Sequence, residues 1–137
     1  MLHQEVNDFG VITIDNTFLN QLIRDSLKPF EGKVWRANYK GKGQDFLIKL
    51  GNYDALSELI VNESEKGVFI RIYLLAKFGV SLGSVADSLI ENISDVLKND
   101  LGLKIDNIEV VFTGLIMKKG IAKRQIVYQY NCNEEEN

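Results

Sequence analysis

A chain of 137 residues with 45% apolar and 26% charged side chains sits near the commonest size for one soluble domain with its own core. Its net charge of −3 disfavours a nucleic-acid partner, because the phosphate backbone selects basic proteins. A single cysteine, Cys132, makes no internal disulfide, which fits a reducing compartment.

At the start, Met1–Val6 lacks the basic and apolar runs of a secretory signal. Val11-Ile12-Thr13-Ile14 then reads as a short β-branched strand closed by Asp15-Asn16. Either of those two residues can cap a helix, because a short side-chain oxygen accepts from the open amides of a first turn. Phe18, Leu19, Leu22, Ile23 and Leu27 follow at three- and four-residue steps, which puts them on one helical face. Pro29 disfavours helical geometry at Lys28 and so ends the helix there.

Gly41-Lys42-Gly43 looks like a turn between strands Val34–Ala37 and Asp45–Leu50. Ser57–Asn62 is expected as a strand, with Glu63–Gly67 as the loop of a hairpin into the next segment. That segment, Val68–Phe78, is the clearest strand of all. Val68, Ile70, Ile72, Leu74, Ala76 and Phe78 fall on one side and form a wholly apolar core face. The other side, Phe69, Arg71, Tyr73, Leu75 and Lys77, is mixed. Arg71 and Lys77 also break the longest apolar run, which falls far short of the ~20 residues a spanning helix needs, so direct membrane insertion is not expected.

Ser81 is placed to cap a second amphipathic helix carrying Val85, Ala86, Leu89, Ile90, Ile93, Val96 and Leu97 on its apolar side. Gly102 suits the left-handed position that closes a helix. Ile108, Val110 and Phe112 alternate as a further strand, and after Lys118-Lys119-Gly120 the stretch Ile121–Tyr130 folds back as a terminal strand. The expected architecture is α+β, two helices packed on one face of a mainly antiparallel sheet. It forms one domain over residues 1–130, followed by a polar acidic tail at 131–137.

The stretch Ile72-Tyr73-Leu74-Leu75-Ala76-Lys77-Phe78-Gly79-Val80-Ser81, then Val85-Ala86 and the helix, resembles the alkaline-shock, or envelope stress response, proteins of Gram-positive bacteria. Leu101-Gly102-Leu103 and Ile108–Leu115 continue the pattern, and Gly10–Ile14 before a helix is similar to that family's opening. Gly83 and Ser84 stand where the family usually has a proline and then an acidic residue. The resemblance implies a non-enzymatic cytoplasmic protein, held at the inner face of the envelope by a membrane-anchored protein partner. It implies no catalytic residues.

The residues themselves also give little chemistry. His3 is the only histidine, so a triad or a zinc site from His3 and Cys132 lacks its partners. Gly41-X-Gly43 lacks the spacing and the Lys-Ser/Thr of a phosphate loop. No catalytic residue, cofactor or metal is expected. The expected activity is protein–protein association, self-association included. The candidate contact residues are Phe69, Arg71, Tyr73 and Leu75 on the mixed strand face, with Lys118 and Lys119 at the following turn. The alternative is a small RNA-binding module, with Trp35, Tyr39 and Phe46 for stacking among Lys33, Arg36, Lys40 and Lys42.

Overall fold

The computed structural model describes residues 4–6, 12–37 and 58–130. Strands β1 (Gln4–Val6) and β2 (Ile12–Ile14) pair antiparallel as a two-stranded ribbon. Helix α1 spans Asn16–Leu27, and Asp15 caps it by accepting from the Thr17 amide at 2.7 Å. Leu19, Ile23 and Leu27, one helical turn apart, are buried. A 3-10 turn at Lys28–Phe30, carrying Pro29, ends the helix where the sequence places its stop.

Among the described residues, five strands make the main sheet. They are β3 (Val34–Arg36), β4 (Leu59–Ser64), β5 (Gly67–Lys77), β6 (Ile105–Met117) and β7 (Gly120–Gln129). β5 is the hub. Both β3 and β4 pair antiparallel with it, β4 along its first half and β3 near its end. β6 lies alongside it in parallel, and β7 returns antiparallel to β6. The sheet is mostly antiparallel, as expected. Its one parallel pair follows from the connection: helix α2 (Leu82–Asp95) carries the chain back between β5 and β6, and a long crossover gives parallel strands. Ile121–Tyr130 does return as a strand, and Tyr130 donates its amide to the Ile108 carbonyl at 2.8 Å.

α2 begins at Ser81, whose hydroxyl accepts from the Ser84 amide at 3.4 Å. A π turn at Val96–Asp100 extends it, and Gly102, at φ +66°, reverses the chain. Val85, Ala86, Leu89, Ile90 and Ile93 face the sheet. With α1 they cover Ile70, Ile72, Leu74, Ile108, Val110 and Phe112 in one core. Tyr128 of β7 meets Phe112 edge-on, with ring centroids 5.9 Å apart.

Phe78 departs from the expected core face. β5 ends at Lys77, and a turn through Gly79 at φ +97° follows, so strand alternation no longer governs Phe78, which is 64% exposed. A bulge in β6 between Phe112 and Gly114 shifts its alternation by one residue. Leu115 therefore joins the helix-side core, while Ile116 turns to the opposite face. The Asp45–Leu50 strand, the Gly41–Gly43 turn, His3, Cys132 and the acidic tail lie outside the described residues.

Candidate functional site

The helix-free face of the sheet divides into two halves. Toward the end of β5, Tyr73 and Leu75 are buried with Ala37 and Val111 in a second, smaller core, against which Ile60, Ile116 and Ile121 pack. The bulge in β6 is what delivers Ile116 to this cluster. Two of the expected contact residues are thus covered within the chain. Phe69 and Arg71, nearer the start of β5, remain half-buried. The Arg71 Nε donates to Glu109 Oε1 at 2.6 Å across the β5–β6 register, and its guanidinium lies 5.3 Å from the centre of the Phe69 ring. The hydrogen bond that Arg71 donates to Glu109 is the largest cause holding its pKa above the ordinary value, with a smaller contribution from Tyr73.

Lys118 and Lys119 lie elsewhere, at one pole of the sheet. The parallel β5–β6 pairing brings the two strand ends together, and the Phe78 amide donates to the Ile116 carbonyl at 2.9 Å. The turn after β5 and the β6–β7 hairpin therefore stand side by side. Each presents an exposed apolar side chain next to lysine: Phe78 beside Lys77, and Met117, 46% exposed, beside Lys118. Between them and Trp35 of β3 lies an open groove of about 730 Å³, lined also by Gly32, Ile116 and Lys119. A second open groove, of about 540 Å³, lies between the end of α1 and β3 and is lined by Arg24, Leu27, Lys28, Glu31, Val34 and Arg36. Gly32 and Trp35 belong to both.

Lys118-Lys119 was legible as a basic turn. Phe78, Met117 and Lys77 do not stand out in the sequence as site residues, and Trp35 stands out only as a stacking residue of the RNA alternative. A Lys-Phe-Gly tripeptide at a strand end was the available signal, since a glycine that turns the chain frees the residue before it from the pleat. Arg36, one of the cations named for the RNA alternative, is buried.

Among the described residues no three His, Cys, Asp or Glu side chains gather closely enough to hold a metal. Among the described residues Glu31 is the one carboxylate lining either groove, so these bring no two carboxylates together for acid–base work. No helix of the described residues is long and apolar enough to cross a membrane.

The model of the alkaline shock protein family, described as having a cell envelope-related function, matches residues 4–117. The chain belongs to that family. It is not a known family of enzymes. The match runs from β1 through the end of β6 and leaves β7, with Lys118 and Lys119, beyond it. No curated protein and no solved structure matches the chain.

Proposed function

We propose that this alkaline shock family chain is a non-enzymatic scaffold or accessory component of the cell envelope. It works by docking to other proteins, further copies of itself included, on the cytoplasmic side. Its link to the membrane is a membrane-anchored protein partner. The observation that carries this reading is the pole at the ends of β5 and β6, where Phe78 and Met117 stand exposed beside an apolar groove rimmed by lysines. Apolar side chains left in water next to a concavity are what a protein interface presents before its partner arrives. The family's envelope-related function supports the location.

The test is photo-crosslinking in growing cells, with a reactive residue at Phe78 and, as a control, at Asp87 on the exposed side of α2. Specific protein adducts from position 78 and none from position 87 are expected, together with concentration-dependent mass in light scattering of the purified chain. A monomer at all concentrations with no adduct at position 78 refutes the reading. The RNA alternative rests partly on Tyr39, Lys40, Lys42 and Phe46, which lie outside the described residues. A low-salt gel shift with mixed RNA separates it from protein docking.

A further inference from the structure

We propose that the groove at the ends of β5 and β6 receives the acidic run Glu134-Glu135-Glu136 of a second copy of this chain. This rests on the protein-association reading above and names both the partner and the charges that hold it. Lys77, Lys118 and Lys119 line the groove and are exposed, and among the described residues none of their ammonium groups has a hydrogen-bond or ion-pair partner. Among the described residues no carboxylate lines the groove with them. Three cations beside the exposed side chains of Phe78 and Met117 are a local reversal on a chain with a net charge of −3. Their complement is a short run of carboxylates.

The sequence holds one such run. Glu134-Glu135-Glu136 is its only stretch of three consecutive acidic residues, and like Lys118 and Lys119 it lies past residue 117, where the family match ends. Reach decides which copy supplies it. β7 starts beside the lysines at Gly120 and runs through Gln129 to the far end of the sheet, where the Tyr130 amide meets the Ile108 carbonyl. At about 3.3 Å per residue, Tyr130 stands roughly 33 Å from the lysine turn. The acidic run follows Tyr130 by four to six residues, and a backbone of that length spans at most about 14–22 Å. Doubling back, the run as a whole stops short of its own lysines, whereas a second copy brings it to them without that limit. Phe78 and Met117 then exclude water from the contact, which strengthens each attraction between lysine and carboxylate.

Sedimentation of the full chain over a range of concentrations tests this. The expected result is self-association that weakens as salt rises. Glu134→Gln with Glu135→Gln and Glu136→Gln should weaken it by about tenfold or more, and so should Lys118→Glu with Lys119→Glu. An unchanged circular dichroism melt shows that each variant folds. Asp87→Asn with Glu91→Gln removes charge from the exposed side of α2 and should associate as the parent does. The deciding arm mixes the Lys118→Glu, Lys119→Glu chain with one carrying Glu134→Lys, Glu135→Lys and Glu136→Lys. Each alone sets like charges against each other, while in the mixture every run meets its opposite, so the mixture should associate at concentrations where neither chain does alone. A parent that stays monomeric, a Gln variant that associates as the parent does, or a mixture that stays monomeric overturns the assignment. If adducts at position 78 form in cells in any of those cases, protein docking stands and only the acidic run as its occupant fails.

Discussion

Gly67 offers the sharpest test of how the sheet is assembled. It sits where the β4–β5 hairpin delivers the chain into β5, at φ +118°. A methyl group added there would lie 2.5 Å from the Lys104 carbonyl oxygen, 2.8 Å from its carbon and 2.9 Å from the Asp106 amide nitrogen. All three are backbone atoms at the entrance to β6, and the Val68 amide already binds that same Lys104 oxygen at 2.9 Å. A rotamer change therefore gives no relief: β5 and β6 must separate, or the hairpin must shift. Strain at this φ costs about 1–2 kcal/mol and overpacking a further 1–3 kcal/mol, so Gly67→Ala should lose about 2–5 kcal/mol. With unfolding entropy near 2.1 cal/mol/K per residue over 137 residues, that lowers the melting temperature by about 7–17 °C. Gly120→Ala supplies the control. Its φ of +136° is comparably forbidden, but nothing lies within 4 Å of the added carbon, leaving a strain cost of about 1–2 kcal/mol. Urea denaturation of both variants measures the difference. If Gly67→Ala is no more costly than Gly120→Ala, the close approach of the two parallel strands is not what fixes glycine there.

Gly83→Ala, in the first turn of α2, should raise stability by about 0.5–1 kcal/mol in the same assay. The added carbon meets only Tyr128 at ordinary contact, 3.8 Å, and the backbone there is helical. Asp15→Ala removes the acceptor for the Thr17 amide and should cost about 1 kcal/mol. Phe112→Ala empties the centre of the core beneath α2 and should cost about 3–5 kcal/mol, visible as a large drop in urea midpoint. Because Glu109 raises the Arg71 pKa, the pair's contribution is complete below the ordinary guanidinium value and lost only above the raised one. The stability difference between the parent and Arg71→Met should therefore stay flat from pH 7 to about 10, and a slope in that difference counts against the pairing.

Local periodicity made both helices and most described strands legible, because each carries its own signal: Leu19, Ile23 and Leu27 by helical turns, Ile70, Ile72 and Leu74 by alternation. What escaped depends on neighbours. Whether Tyr73 and Leu75 face solvent is decided by Ile60, Ile116 and Ile121, strands away, and Ile116 reaches them only through a bulge. The same holds for the pole. Phe78 reads as one more core residue until the end of β5 is known, and Trp35 becomes part of a groove only once β3 is paired with Ala76, Leu75 and Leu74. The fold lay largely in short-range pattern; the site lay in strand adjacency.

β7 has a consequence for how copies of this molecule can stack. A thirteen-residue β6 lacking β7 would offer a long, flat row of open amides and carbonyls to any passing strand. β7 occupies that row and presents its own outer rim instead, with Lys123 and Arg124 in solvent. Like charges brought rim to rim repel, so growth of the sheet from molecule to molecule is blocked on that side. Charged side chains on an outer strand thus guard that edge against strand-by-strand aggregation.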